Sequence, residues 1–312
     1  MPPPDYAKLI DAETWAFIRE TEACYPPEAG TLPIGRRREF YDAMCRTFFR
    51  SHPPGVAARD QSLGGVACRL YTPAAGPAAT VVYFHGGGFV LGGLHSHDDI
   101  CAELCAATGF RLIAVDYRLA PEHLHPAAFD DALAATRAVL ATFPGPLVLS
   151  GDSAGGNLSA AVAQTLKDEP RLKGQVLIYP SLGGDCDRGS ALTHAAAPLL
   201  SRDDLEFYAR IRYANGEEPP DDPSAAPLWA PSFAGLPPTV AFSAECDPLA
   251  DDARAYCGLI SAEGGRAHWV LEKGLVHGYL RARCSVARAR DSFARITEAI
   301  AALARDDWPY PR

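Results

Sequence analysis

The sequence predicts an α/β architecture: a mostly parallel central sheet with helices on both faces and a helical cap over one edge. Three observations predict it. From Val81 onward, short apolar runs alternate with longer helical patterns, the rhythm of strands joined by crossover helices. Several short runs, Thr80-Val81-Val82-Tyr83-Phe84 among them, are continuously apolar, as strands buried on both faces are. One run, Leu147-Val148-Leu149-Ser150, leads straight into Gly151-Asp152-Ser153-Ala154-Gly155 and an Ala-rich helical stretch. That is a strand, a tight turn and a helix around G-x-S-x-G. At 312 residues the chain can bury a large core, as one domain or a domain with a subdomain.

Taken in order, residues 5–23 place Tyr6, Leu9, Ile10, Trp15, Phe17 and Ile18 as an amphipathic helix that Pro26 and Pro27 stop. A second helix is expected over about 35–51, with Phe40, Met44, Phe48 and Phe49 largely on one side, ended by Pro53-Pro54. These two helices read as an addition to the core, which assigns residues 1–52 to the cap and 53–312 to the catalytic domain. Gly65–Pro73 alternates as a strand, and Thr80–Phe84 follows. Then come a helix at 97–108, a strand at 112–116, a helix at 128–142, and the 147–158 strand-turn-helix, whose helix runs to about 168. Strands at 175–179 and 239–243, a helix at 249–263, a strand at 268–271 and a last helix at 281–304 complete the rhythm. It is interrupted at about 183–235, read as a cap insertion, where Ser201-Arg202-Asp203-Asp204 has the form of a capping box.

The formal net charge of −9 argues against nucleic acid. The basic run Arg36-Arg37-Arg38 beside Glu39 reads as a solvated helix face. No apolar stretch approaches the roughly 20 residues of a membrane span. Met1-Pro2-Pro3-Pro4-Asp5 has neither a basic start nor an apolar core, so no secretion signal is expected. Nine cysteines without a C-x-x-C pair read as reduced, mostly buried thiols of a cytoplasmic protein.

The turn at Ser153 has the form of a nucleophile elbow. A Cβ at Gly151 or Gly155 would crowd it, and the helix N-terminus below favours developing negative charge. His85-Gly86-Gly87-Gly88-Phe89 directly follows a strand, and its glycines free the backbone to turn N–H groups inward. With the N–H of Ala154, those of Gly87 and Gly88 would form an oxyanion hole. A phosphate loop is the alternative, but neither G-K-[ST] nor G-x-G-x-x-G is present. His277, in the loop after the last strand, is placed to act as general base. Of the other histidines, His85 belongs to the glycine loop, and His95/His97 and His123/His125 read as polar packing rather than metal ligands. Asp247, just past the strand ending near Ser243, is the candidate to orient the imidazole, with Glu245 a lesser one. An N-cap with Pro248 following is the structural alternative for Asp247. Asp251 and Asp252 fit a helix first turn. The order Ser153, Asp247, His277 distinguishes the set from chymotrypsin-type and subtilisin-type enzymes. Cys246 abuts Asp247, so inhibition by thiol reagents is expected without a catalytic role.

With these segments in view the chain resembles the hormone-sensitive-lipase-like esterases, bacterial family IV of the α/β-hydrolases, on its acetyl-esterase-like branch. The likeness rests on His85-Gly86-Gly87-Gly88, Gly151-Asp152-Ser153-Ala154-Gly155-Gly156, Asp247-Pro248-Leu249 and His277-Gly278-Tyr279. Asp116-Tyr117-Arg118-Leu119-Ala120-Pro121-Glu122 is a further signature, taken as structural support. His125-Pro126 stands where the branch commonly has Phe-Pro. The resemblance implies an α/β-hydrolase fold and a carboxylesterase for short acyl esters. It implies the catalytic set Ser153, Asp247 and His277, with His85, Gly86, Asp152 and Gly155 as motif support. It further implies no metal, no cofactor and a small-molecule ester as partner, with dimerisation known in the family. An amidase or arylformamidase, a lipase, and a non-catalytic binding protein on the same fold are the alternatives. Trp229, Phe207 and Tyr208 are candidates to line the pocket.

Overall fold

The computed structural model describes residues 4–219 and 221–311. Met1 to Pro3, three of the five residues read above for a leader, lie outside the described residues. Two short N-terminal helices, α1 (Tyr6–Leu9) and α2 (Ala12–Glu22), precede α3 (Ile34–Phe48). The single helix expected over 5–23 breaks at Ile10-Asp11 because the Asp11 carboxylate accepts from the Thr14 N–H at 2.8 Å, starting a new helix. Then follow β1 (Val56–Leu63), β2 (Val66–Pro73), β3 (Thr80–Phe84), α4 (Asp98–Thr108), β4 (Arg111–Val115), α5 (Ala127–Thr142), β5 (Leu147–Asp152) and α6 (Ala154–Thr165). The second half contains β6 (Leu172–Ile178), α7 (Gly189–Thr193), α8 (Arg202–Arg212), β7 (Thr239–Cys246), α9 (Ala250–Ala262), β8 (Ala267–Val276) and α10 (Ala287–Ala304).

The strands form one sheet in the order β1-β2-β4-β3-β5-β6-β7-β8. The pairs β1/β2 and β2/β4 are antiparallel and the rest are parallel. Strand β1 had no counterpart in the sequence reading. It is an edge strand whose Ala57 to Asp60 are all exposed, so it carries no buried face to betray it. Arg59 and Asp60 put charge on that edge, which discourages pairing with another chain. The central strands alternate as expected of a two-sided core. Val81, Tyr83 and Val148 pack with α2, α3, α4 and α10, whereas Val82, Phe84 and Leu149 pack with α5 and α6. On that second face, Leu177 and Ala241 pack with Tyr256 and Ile260 of α9.

The interval between β6 and β7 holds α7, α8 and a 3-10 turn at Pro227–Trp229. The Ser201/Asp204 capping box is present at the start of α8. The last helix starts later than expected, because Tyr279–Ala282 forms a 3-10 turn first. The basic run is also more than a solvated face. Arg36 does pair with Glu39 at the surface. Arg38 instead reaches the core, donating to the carbonyls of Val90 and Ala120 at 2.8 and 2.9 Å and pairing with Glu122 at 2.7 Å. It thereby ties α3 to the loops beside the sheet. All nine cysteines are free, and six of them are buried. Among the described residues no helix is long and apolar enough to cross a membrane.

Candidate active site

Parallel strands deliver their following loops to one edge, and β3, β5, β7 and β8 each contribute one here. After β5 the chain turns at Ser153, whose φ of +54° and ψ of −117° lie outside the regions ordinary residues favour. The turn is held by the Ser153 N–H donating to the Ile178 carbonyl at 2.9 Å and by Asn157 N–H donating to the Ser153 carbonyl at 3.1 Å. A Cβ on Gly155 would run into the Phe84 carbonyl, which is why the helix can start this close to β3.

His277 follows the end of β8, and its Nε2 lies 2.9 Å from Ser153 Oγ. Its Nδ1 lies 2.7 Å from Asp247 Oδ2. A carboxylate only accepts, so Nδ1 carries the ring proton and Nε2 is left to accept from the serine hydroxyl. Asp247 is fully buried, and its other oxygen accepts from the Leu249 N–H at 2.8 Å. It thus serves the turn before α9 as well as the imidazole, although the helix itself begins only at Ala250. Glu245 takes no part in this chain. It accepts from Lys273 at 2.7 Å and from the Gly274 N–H at 2.8 Å.

The loop after β3 passes in front of Ser153. Gly87 and Gly88 have φ of +122° and +61°, and their N–H groups have no acceptor among the described residues. Ala154 is the first residue of α6, where an amide has no partner in the helix. Gly86 differs: its N–H donates to Asp152 Oδ1 at 3.0 Å. That carboxylate also accepts from Tyr83 O–H at 2.8 Å and lies 3.2 Å from His97 Nε2. Burial alone would raise its pKa, but His97 and the Tyr83 hydroxyl more than offset that and hold it well below the usual carboxylate range. His85 stacks on Tyr117 at 4.3 Å, and burial lowers its pKa to about 3, so it stays neutral and donates from Nδ1 to the Gly86 carbonyl at 2.8 Å. Tyr117, from the Asp116–Glu122 signature, donates to the His85 carbonyl at 2.6 Å. The motif-support residues therefore shape the glycine loop from beneath.

Ser153, His277, Gly87, Gly88 and Ala154 all face a cavity of ≈ 720 Å³. Its roof comes from α2, α3 and α8, including Tyr41, Tyr208 and Arg212. Of the three expected pocket residues only Tyr208 lines it, at the point where a Cβ on Gly88 would strike its ring. Phe207 instead lies under the Arg37 guanidinium at 4.0 Å, and Trp229 is 56 % exposed, donating to the Gly183 carbonyl. For Phe207 helical phase decides this, since adjacent residues of α8 cannot face the same way.

The comparisons with known proteins agree with this architecture. A family described by its alpha/beta hydrolase fold matches residues 81–281. The chain is 39% identical over 236 residues to the carboxylesterase NlhH of Mycobacterium tuberculosis, covering 72% of this chain and 73% of that protein. It is 30% identical over 295 residues to the acetyl esterase of Salmonella typhi, covering 89% of each. The chain belongs to the hormone-sensitive-lipase-like esterases of the α/β-hydrolase superfamily. Among solved structures, the hyperthermophilic esterase of the archaeon Pyrobaculum calidifontis superposes with a TM-score of 0.81 at 32% identity, over 88% of this chain and 95% of that one.

Sequence reasoning missed two residues at this site. His97, read as polar packing without a named partner, pairs with Asp152 below the glycine loop. Only the fold brings α4 against β5, so no spacing could have linked them. Asp252 is 6 % exposed and lines the cavity, where its Oδ2 accepts from the N–H groups of Leu182 and Gly184 at 2.7 and 3.3 Å. Burial pushes its pKa up to about 7, against those two donors. Cys246 is corrected too. It is wholly buried, and burial raises its thiol to about 12, so it is shielded from thiol reagents. His95 pairs with Asp42 at 2.8 Å and His125 with Asp222 at 3.0 Å. No cluster of three potential metal ligands occurs among the described residues.

Proposed function

We propose that this protein hydrolyses carboxylic esters of short acyl chains through an acyl-enzyme formed on Ser153. The observation that carries the reading is the unbroken run Ser153 Oγ, His277 Nε2, His277 Nδ1, Asp247 Oδ2, with steps of 2.9 and 2.7 Å, beneath unpartnered backbone donors. Ser153 attacks the ester carbonyl while His277 takes its proton, and Asp247 stabilises the imidazolium. The N–H groups of Gly87, Gly88 and Ala154 receive the oxyanion. His277 then returns the proton to the leaving alcohol, and water repeats the sequence on the acyl-enzyme. Relatives named acetyl esterase and ethyl acetate hydrolase support the short-chain preference. Residues 1–52 and 183–235 act in this reading as the cap that closes the cavity over Ser153.

The test is a p-nitrophenyl ester series from acetate to palmitate, with wild type and Ser153→Ala side by side. The expected outcome is an optimum among the short acyl chains and a loss on the order of 10⁶ in kcat for the variant, with its melting temperature retained. Turnover that survives in Ser153→Ala would sink the reading, and an optimum at palmitate would remove the short-chain part of it.

A further inference from the structure

We propose that the ester accepted by this site carries a second, anionic group, a carboxylate, and that Arg281 holds it. The proposal rests on the esterase reading of Ser153 and adds the substrate class. Arg281 lies four residues beyond His277, in the 3-10 turn Tyr279–Ala282, and faces the cavity. Its guanidinium is oriented by two bonds, to the Ser96 carbonyl at 2.8 Å and to Tyr41 Oη at 2.9 Å. Of the five donors of a guanidinium, the other three have no partner among the described residues, and no carboxylate lies within ion-pair distance. Arg283, two residues on, shows what a purely structural arginine looks like in the same turn. It is 3 % exposed and is neutralised by Asp99 at 2.6 Å and Glu103 at 2.7 Å.

The rest of the wall does not supply the missing charge. Asp152 acts on Arg281 from beyond ion-pair distance and already has His97 beside it. Asp204 is occupied in its own capping box, Glu218 accepts from Tyr213, and Glu22 of α2 is exposed and forms no ion pair with Arg281. Asp252 is held by backbone donors and is half protonated near neutrality. A second cation, Arg212, is 7 % exposed and also faces the cavity without an ion-pair partner among the described residues. Its ring contacts and two bonds of 3.3 and 3.5 Å give it packing and weak hydrogen bonding, but no countercharge. A half-buried, pre-oriented guanidinium with open donors suits a planar carboxylate, which it can grip with two parallel bonds.

The carboxylate can sit on the acyl or on the alcohol side, and two matched pairs separate these. Monoethyl glutarate against ethyl valerate tests the acyl side, and γ-acetoxybutyrate against butyl acetate tests the alcohol side. Each pair replaces a terminal methyl by a carboxylate, and titration of the released acid at constant pH gives kcat/KM. One anionic ester should exceed its neutral partner by at least about tenfold in wild type, a ratio that shrinks with added salt. Arg281→Gln should bring that ratio to one or below, and Arg281→Lys should restore part of it. Glutarate should inhibit ethyl valerate hydrolysis competitively in wild type, a readout that needs no variant to fold. Neutral esters turned over with both ratios at or below one, and no inhibition by glutarate, would overturn the proposal. A folded protein that hydrolyses none of the four esters would overturn the Ser153 reading, and this one with it.

Discussion

The floor and the roof of the cavity are built by different rules. The floor consists of loops at the ends of β3, β5, β7 and β8, each tethered to a strand paired on both sides or bonded to a buried group. The roof is α2, α3 and α8, and α3 and α8 are tied to what lies below through side-chain hydrogen bonds such as Arg38 to Val90 and Arg212 to Asn157. Position in the floor follows from strand order and tight turns. Position in the roof follows from which helix face happens to meet which loop. The floor is thus suited to holding reacting atoms to within fractions of an ångström, and the roof to varying what fits.

The sharpest way to test this contrast is on the floor. Asp247→Asn keeps the shape of the side chain but offers His277 no fixed acceptor, so the wrong tautomer becomes available. A fall of about 10⁴ in kcat is expected from single-turnover kinetics, with KM little changed. A loss of only a few-fold would mean that Asp247 serves the Leu249 turn and no more.

Next in size is the seam between floor and roof. Gly88→Ala puts a Cβ where φ is +61° and into the ring of Tyr208, and if the proposed oxyanion role holds, loss of that donor geometry should cost about 10²–10³ in kcat. Tyr208→Ala, on the roof alone, should cost no more than about tenfold and instead move the acyl-length optimum. If the two variants reversed in rank, as measured on the same ester series, the division between floor and roof would not hold.

The smallest effect belongs to Asp252, which joins the two regions by gripping Leu182 and Gly184 at the root of the insertion. Its folded pKa of about 7 lies above the unfolded carboxylate value. The folded protein therefore binds the extra proton, and stability declines as pH rises from about 4 through 7. Melting temperatures recorded between those limits should fall by a few degrees more for wild type than for Asp252→Asn, which cannot ionise. Parallel curves for the two proteins would show that Asp252 is ionised throughout.

Much of this was legible from residues alone, for reasons that are local. Apolar runs bounded by turns located the strands from β3 onward and alternation located β2, though Arg111 and Glu245 show that strand ends ran past the apolar part. The glycine loop, the elbow and the capping box at Ser201 are each encoded within a few residues. Strand β1 was not legible because a strand exposed along most of its length carries no alternation. His97 and Arg38 were not legible because their partners, Asp152 and Glu122, lie 55 and 84 positions away in sequence.

By itself, then, the sequence determined the α/β class, the places where the backbone must turn sharply, and the residue types available for acyl transfer, since steric and hydrophobic preferences act over one or two turns of chain. Only the tertiary structure decided that Tyr208 rather than Phe207 or Trp229 lines the cavity, that burial raises the pKa of Asp252 toward neutrality, and that Arg281 has no ion-pair partner among the described residues while Arg283 has two. Desolvation and ion pairing depend on what surrounds a group in space, and that is set by packing between segments far apart in the chain.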